Sequence, residues 1–224
     1  MNEKSNRVKQ NNIEDPTCYK CDCRRNCSEG RPSRELENCP IKKSPDIQKE
    51  AIRLYEEDDF LRKSNIAATI ANRQGIRPRL RDIIEYAKIM GFKKLGIASC
   101  GAYQTETSKT AEILNRFNFQ VSSVCCATGI DKAIDIELPK GLEIYPKMGY
   151  NFEYISCNPV AQALLLNKAK TDMNLIIGLC VGHDISFTQL SKAPVVTLFV
   201  KDRLARFDPA ETINSLYRDT ENNC

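Results

Sequence analysis

The amino-acid sequence predicts an α/β protein, in which a small, Rossmann-like parallel sheet with helices on both faces follows a cysteine-rich metal knuckle and a short helical segment. Two patterns indicate this architecture. From residue 92 onward, short apolar runs alternate with helical segments, which is typical of a parallel sheet with helical crossovers. Residues 18–43 are instead rich in Cys, Arg, Pro and Gly and show neither helical nor strand periodicity, so they need something other than a hydrophobic core to fold. With 224 residues, the chain is long enough for one such domain and a small appendage.

The N-terminal part of the chain is predicted to run from a tail through the knuckle into helices. Residues 1–17 are polar and are expected to form a disordered tail. The knuckle occupies residues 18–43, and a helical segment that packs on the main domain occupies residues 44–91. Its first helix begins at Ser44-Pro45, because Ser favours the N-cap and Pro the first helical position. Three helices are predicted, ending at about Tyr55, covering about residues 58–73, and running from about Arg79 to Met90, where Gly91 stops the last one.

The α/β domain is expected over residues 92–218, with a short tail at residues 219–224. Its four strands are predicted at Lys94–Ala98, Gln120–Val124, Asn174–Leu179 and Val195–Lys201. Its helices are predicted at about Thr105–Asn118, Pro159–Lys170, Ser186–Leu190 and Pro209–Tyr217, and residues 127–156 are expected to be irregular. The long excursion between the second and third strands favours a change of direction there, so the predicted strand order is 2-1-3-4.

Composition and charge indicate in which compartment the protein acts and which classes of partner to expect. The chain has eleven cysteines, its first residues lack the apolar region of a secretory signal, and no apolar run approaches the roughly 20 residues that span a bilayer. We therefore expect a cytoplasmic protein, not associated with a membrane, that uses its thiols for metal binding or catalysis rather than for disulfides. A net charge of only +4 gives little reason to expect a nucleic-acid partner. The expected partner is a metal ion or cluster, and the sequence identifies no protein partner.

The knuckle carries five cysteines in the pattern Cys-x2-Cys-x-Cys-x3-Cys-x11-Cys-Pro. A Cys-x2-Cys pair lets two thiolates of one tight turn reach the same ion, and two further thiolates complete a tetrahedral four-cysteine site or hold an iron–sulfur cluster. The predicted metal ligands are Cys18, Cys21, Cys27 and Cys39, with Cys23 as a spare or alternate. Spacing does not choose between zinc and an iron–sulfur cluster, so both stay open as cofactors.

A second set of cysteines is scattered in sequence but regular in position. The first two positions after three of the predicted strands hold Cys100, Cys125, Cys126 and Cys180. Ligands of open parallel sheets bind at the carboxyl ends of the strands, so these thiols are expected to converge on one crevice. Cys157 precedes a predicted helix N-terminus, where free N–H groups and the helix dipole stabilise a thiolate, and it is expected to join them.

Three functions fit these residues. The first is a metalloprotein whose second site holds an iron–sulfur cluster or another thiolate-bound metal, used in redox chemistry or small-molecule activation. The second is a non-enzymatic zinc protein, structural or metal-sensing. The third is a metal-free thiol enzyme with a domain cysteine as nucleophile and His183, the single histidine, as base. His183 adjoins Cys180, so it is also a candidate ligand or hydrogen-bond donor to a sulfur. Any one domain cysteine could instead be a small buried hydrophobe.

Several motifs of the domain form a familiar set. They are Gly96-Ile97-Ala98-Ser99-Cys100, Ser123-Val124-Cys125-Cys126, Cys157-Asn158-Pro159 and Gly178-Leu179-Cys180-Val181-Gly182-His183-Asp184. With these motifs the chain resembles the domain-of-unknown-function family 1847 over nearly its whole length, and members of that family are usually labelled predicted metal-binding proteins. The resemblance implies metal binding by the four knuckle ligands and a shared, cofactor-binding role for Cys100, Cys125, Cys126, Cys157, Cys180 and His183. It implies no activity, and Cys23 and Cys224 look like additions to the family pattern.

Overall fold

The computed structural model of the chain describes residues 16–21, 27, 30, 31, 36–128 and 157–202. The chain divides into two compact units, residues 1–65 and 66–224. Several sequence predictions lie outside the described residues: Cys23, Cys224, the helix Pro209–Tyr217, the C-terminal tail, and most of the N-terminal tail and of the segment 127–156. No helix in the described ranges has both the length and the apolar composition that crossing a membrane requires.

The described part of the first unit is helical. A 3-10 turn covers Cys18–Lys20, α1 covers Pro40–Lys43, and α2 covers Pro45–Glu57. α2 begins at Pro45 as predicted, but the Ser44 side chain makes no capping hydrogen bond, so the fixed φ of the proline sets the start. The next helix, α3, covers Asp59–Asn72, and the Asp58 carboxylate caps it by accepting a hydrogen bond from the backbone N–H of Leu61 at 3.0 Å.

The second unit contains the predicted parallel sheet. Its strands are β1 (Lys94–Ser99), β2 (Gln120–Cys125), β3 (Met173–Ile177) and β4 (Val195–Phe199), in the order β2-β1-β3-β4, all parallel. The helices are α4 (Arg79–Met90), α5 (Gln104–Arg116), α6 (Pro159–Ala169) and α7 (His183–Leu190). The predicted fold class and strand order are therefore confirmed, including the adjacency of the first and third strands.

Positive backbone φ angles explain three of the element boundaries that differ from the predicted ones. β3 ends at Ile177, two residues early, because Gly178 has φ 61° and leaves the extended conformation. α5 ends at Arg116 rather than Asn118, because Asn118 itself has φ 67°. α7 begins at His183, three residues before the predicted start, directly after Gly182 at φ 88°.

The sheet is covered on both of its faces, as predicted. On one face, α4 and α5 pack Ile84, Ala87 and Leu114 against a core that includes Ile97 and Leu175. On the other face, α6 and α7 contribute Ala163, Leu166 and Phe187, which pack with Ala98 and Ile176. This second core continues past the strand ends, where it includes the side chains of Cys100, Cys126 and Leu179. The cysteines at the carboxyl edge are thus held by the same packing that holds the sheet.

Strand register aligns the carboxyl ends of three strands. Ser99, the last residue of β1, pairs with Cys125 of β2 on one side and with Ile177 of β3 on the other. Because these strand ends lie level, the residues that follow them emerge side by side. Cys100 and Cys126 are the first residues beyond β1 and β2.

Candidate functional site

Three cysteines from three separate segments meet at the carboxyl edge of the sheet. Cys100 follows β1, Cys126 follows β2, and Cys157 lies two residues before α6. Cys100 and Cys126 belong to one buried cluster, and Cys157 packs against it. The pKa values of the three thiols depend on interactions between Cys100 and Cys126 and between Cys126 and Cys157. We call these three residues the thiol cluster. Cys100 and Cys126 are each only 6% exposed, whereas Cys157 is half-buried.

Backbone hydrogen bonds connect the segments that carry the thiol cluster. The N–H of Cys126 donates to the Ser99 carbonyl at 2.8 Å, and the N–H of Asn158 donates to the Cys126 carbonyl at 2.7 Å. The N–H of Cys100 donates to the Ile177 carbonyl at 3.0 Å. The Asn158 side chain caps α6 by accepting from the N–H of Ala161 at 2.9 Å, which fixes the first turn of the helix next to Cys157. The sulfurs therefore converge on a rigid backbone frame.

Two donors point at sulfurs of the cluster. The Lys201 ammonium Nζ lies 3.2 Å from Cys100 Sγ, and the backbone N–H of Gly101 donates to Cys126 Sγ at 3.4 Å. Both donations favour the thiolate form of the acceptor, and the lysine also adds a compensating positive charge. Lys201 is absent from the residues predicted for the site. The predicted fourth strand included Lys201, but β4 ends at Phe199, so Lys201 lies two residues beyond the strand end, at the edge where the cysteines lie.

The pKa values of the three cluster thiols shift in different directions: upward at Cys100 and Cys126, and downward at Cys157. The hydrogen bond to Cys126, followed by burial, raises the pKa of Cys100, and the nearby Lys201 opposes this rise. For Cys126, the bond from Cys100 acts to lower the pKa, but the bond to Cys157 and burial outweigh it and raise the pKa to about 11. The bond from Cys126 lowers the pKa of Cys157. The pKa is thus raised at Cys100 and Cys126 and lowered at Cys157, so within the cluster the negative charge develops first at Cys157.

The other predicted site residues of the domain lie at the same edge but outside the thiol cluster. Cys125, half-buried, places its Sγ 3.4 Å from where a side chain on Gly101 would begin. Cys180 is half-buried and interacts electrostatically with Cys157. The backbone N–H of His183 donates to the Cys180 carbonyl at 3.0 Å. None of the hydrogen bonds between described residues joins the His183 imidazole to a cysteine.

An aromatic wall borders the Lys201 side of the cluster. The Tyr103 ring packs edge-on against Phe199, with 5.3 Å between ring centroids, and the Lys201 ammonium lies 6.0 Å from the Tyr103 ring centroid. Burial raises the pKa of Tyr103, which keeps its hydroxyl protonated. A Cβ on Gly178 would come within 2.1 Å of the Tyr103 ring, so only glycine lets the ring sit there. The wall therefore lies directly beside the lysine–thiol contact.

One buried amide spans the strand ends beneath the cluster. Gln162 of α6 is fully buried, and its Nε2 donates to the Val124 carbonyl at 2.7 Å and to the Ser99 carbonyl at 3.1 Å. Its Oε1 has no hydrogen-bond partner among the described residues. A buried acceptor without a partner costs about 1–3 kcal/mol, so this side chain is expensive to bury here. The sequence signal for Gln162 was its position one turn after Pro159 on the inward face of α6.

The donor chemistry of the cluster fits a soft metal, although the sulfurs are not arranged around one centre. Thiolates suit zinc and iron–sulfur clusters, and hydrogen bonds to the sulfurs tune such sites. In the described ranges, however, no three His, Cys, Asp or Glu side chains already form a group that could hold a metal ion. The three cysteines pack together without forming such a group. Holding a metal would therefore require side-chain rotation on the fixed backbone frame.

The four predicted knuckle ligands occupy different environments in the first unit. Cys18 and Cys27 are exposed, Cys21 is half-buried, and Cys39 is 3% exposed. The N–H of Cys21 donates to the Cys18 carbonyl at 3.1 Å, which gives this pair the tight turn expected of a Cys-x2-Cys motif. Cys39 stands at the N-cap of α1, and its carbonyl accepts from the backbone N–H groups of Lys42 and Lys43.

Comparison with known proteins agrees with the sequence motifs. Residues 39–198 match the model of the family described as "Protein of unknown function (DUF1847)". The chain is 38% identical over 174 residues to the uncharacterized protein MJ0455 of Methanocaldococcus jannaschii, an alignment that covers 77% of this chain and 86% of that protein. No solved structure matches the chain. The family match spans more than two thirds of the chain and includes all three members of the thiol cluster and the sheet up to the penultimate residue of β4, so this chain belongs to the DUF1847 family.

Proposed function

We propose that the protein binds metal through thiolates at two places: the thiol cluster at the carboxyl edge of the sheet, and a four-cysteine site in the knuckle. The metal is zinc or an iron–sulfur cluster, and the edge site is the one suited to redox chemistry or small-molecule activation. The observation that carries the proposal is the meeting of Cys100, Cys126 and Cys157, from three separate segments, in one packed cluster.

Electrostatics support metal binding over simple packing at the edge. Three adjacent thiolates repel one another, so ionising them requires a cation between them or donors around them. Lys201 and the Gly101 N–H supply two such donors, directed at Cys100 and Cys126. Cysteines that served only as apolar core residues would gain nothing from an ammonium 3.2 Å away. When bound, a metal or cluster would supply the remaining positive charge.

The roles of the nearby residues follow from their positions. Cys100, Cys126 and Cys157 would be the ligands, and Cys180 and Cys125, both half-buried at the same edge, are the further thiols that could complete a tetrahedral set. Lys201 would balance the ligand charge, and the Tyr103 ring, 6.0 Å from its ammonium, would pack beside it. His183 would act from outside the ligand shell, because its backbone, not its imidazole, contacts Cys180.

The knuckle site rests on a separate argument. Residues 18–43 contain few apolar side chains, so metal binding would supply the free energy that orders them. Cys18, Cys21, Cys27 and Cys39 are the proposed ligands. High thiol density also fits a reducing compartment, and we propose the cytoplasm as the place of action.

Metal analysis after anaerobic purification tests the proposal. A brown preparation containing iron and acid-labile sulfide would identify a cluster, and a colourless one with stoichiometric zinc would identify a zinc protein. Cys100→Ser, Cys126→Ser and Cys157→Ser should each release the domain metal without unfolding the sheet, while Cys23→Ser and Cys224→Ser, the matched cysteine controls, should retain it. Wild-type protein that contains no metal after anaerobic purification would reject the proposal.

Metal-free thiol chemistry is a second candidate function, favoured by the lowered pKa of Cys157. Its hydrogen bond from Cys126 stabilises the thiolate, which is the nucleophilic form of cysteine. In that case a thiol reagent such as iodoacetamide should label Cys157 before any other domain cysteine at neutral pH. Uniform labelling of the domain cysteines would exclude this candidate.

A further inference from the structure

The buried amide of Gln162 is the feature of the domain that packing explains least. Gln162 is fully buried on α6, the helix that contributes Ala163 and Leu166 to the second core. An apolar residue of similar length would fill the same space without leaving Oε1 unpartnered among the described residues. Its Nε2 contacts the carbonyls of Ser99 and Val124, which belong to the last residue of β1 and the penultimate residue of β2. Ser99 immediately precedes Cys100, and Val124 lies two residues before Cys126.

Gln162 also belongs to the helix that follows the third cluster cysteine. Its backbone N–H donates to the Asn158 carbonyl at 3.2 Å, and the N–H of Asn158 donates to the Cys126 carbonyl at 2.7 Å. One side chain therefore contacts the strand ends that carry Cys100 and Cys126 from the first turn of the helix that follows Cys157. Few residues could couple all three segments at once, because this needs a double donor at the end of an unbranched chain.

We propose that Gln162 is the positioning residue of the thiol cluster: its amide sets the spacing of Cys100, Cys126 and Cys157, and so determines whether a metal can be shared among them. The inference extends the proposed metal site and rests on it for its biological meaning. The effect of Gln162 on the spacing of the three thiols can be measured with or without metal.

Two substitutions and one control separate positioning from general stability. Gln162→Met keeps the length and removes both polar atoms, and Gln162→Asn keeps the amide but shortens the reach by one methylene. Leu166→Ala is the matched control, because Leu166 is fully buried on the same face of α6, one turn further along, opposite Gly96 in the middle of β1. It should lower thermal stability without moving the strand ends.

The first readout uses the full chain stripped of metal. Dibromobimane bridges two thiols that lie close together, each thiolate displacing one bromide, and mass spectrometry of the digested protein identifies which cysteines are joined. Leu166→Ala should give the same yields of the Cys100–Cys126 and Cys126–Cys157 bridges as the wild-type protein. Both Gln162 variants should give severalfold less of these bridges, with Gln162→Met giving the least.

The second readout is zinc affinity in a chain that also carries Cys18→Ser and Cys39→Ser. These two substitutions disable the knuckle site, so the measured affinity is that of the edge site. Loss of the positioning contact should weaken binding about 10- to 100-fold in Gln162→Met, the range typical of residues that orient metal ligands, and leave Leu166→Ala unchanged. Unchanged bridging and affinity in Gln162→Met would overturn the inference, as would an equal loss in Leu166→Ala. If Gln162→Met does not fold, the same comparison with Gln162→Asn decides. If wild type gives the bridges but binds no metal, the proposed function fails while the bridging data still test Gln162.

Discussion

Replacing Lys201 should weaken metal binding at the edge site and leave the fold intact. The Lys201 Nζ lies 3.2 Å from Cys100 Sγ, and both residues are shielded from full solvent contact. A hydrogen bond to a charged group contributes about 1.5–3 kcal/mol, and each 1.4 kcal/mol changes an equilibrium constant about tenfold. Lys201→Met should therefore lower affinity about 10- to 100-fold, because the metal must then bind a Cys100 thiolate that has lost its donor.

Lys201→Arg is the control for this substitution, since arginine keeps the charge and can still donate to the sulfur. Competition between the protein and a zinc chelator measures the affinity, and circular dichroism checks the fold. We expect Lys201→Arg to lie much closer to wild type than Lys201→Met. Equal affinities for wild type and Lys201→Met would refute the idea that the ammonium stabilises a metal-binding thiolate, even if the protein binds metal.

Three further predictions concern the metal-free protein and the fold. The pKa of Cys126 in the folded state, about 11, lies above its ordinary value of 9.0. Its contribution to stability is therefore present below pH 9 and is lost as the pH rises toward 11. Urea unfolding between these pH values should show that the free energy of unfolding falls with pH, and that it falls less in Cys126→Ser. Gly178→Ala should destabilise the domain by about 1–3 kcal/mol more than Gly91→Ala, because both glycines have positive φ but only at Gly178 would a Cβ meet the Tyr103 ring, at 2.1 Å; equal midpoints in chemical unfolding would contradict this. Leu166→Ala should cost about 2–5 kcal/mol, the usual range for emptying a buried leucine site, and a loss below about 1 kcal/mol would show that α6 is not firmly packed.

The sheet could be predicted from sequence because its signals are local. Apolar runs such as Leu95–Ala98 and Leu175–Ile177 are buried on both faces of the sheet, and they alternate with helices that end at glycines such as Gly91. Strand order followed from the long connection between β2 and β3. Some of the boundary errors occurred where a single backbone angle ends an element, as at Gly178 and Asn118, because a positive φ cannot be deduced from residue type alone.

The candidate site was predictable in position but not in its contacts. Residue spacing brings Cys100, Cys126 and Cys157 to one edge, because parallel strands end together and helices start there. Spacing does not reveal which sulfurs pair. It also does not reveal Lys201 or Gln162, because their roles depend on side-chain reach across elements that are distant in sequence: 101 residues separate Cys100 from Lys201, and 63 separate Ser99 from Gln162. The positions of Lys201 after β4 and of Gln162 on α6 indicate the edge of the sheet near which they lie, but not the atoms that they contact.

X-ray absorption at the metal edge tests the central claim most directly. The sample is anaerobically purified protein carrying Cys18→Ser and Cys39→Ser, so that the knuckle site is disabled and the domain site remains. We predict a metal surrounded mainly by sulfur at about 2.3 Å, with the sulfur count falling in Cys126→Ser. A preparation with no bound metal, or one whose metal has only nitrogen and oxygen neighbours, would contradict the assignment of Cys100, Cys126 and Cys157 as metal ligands.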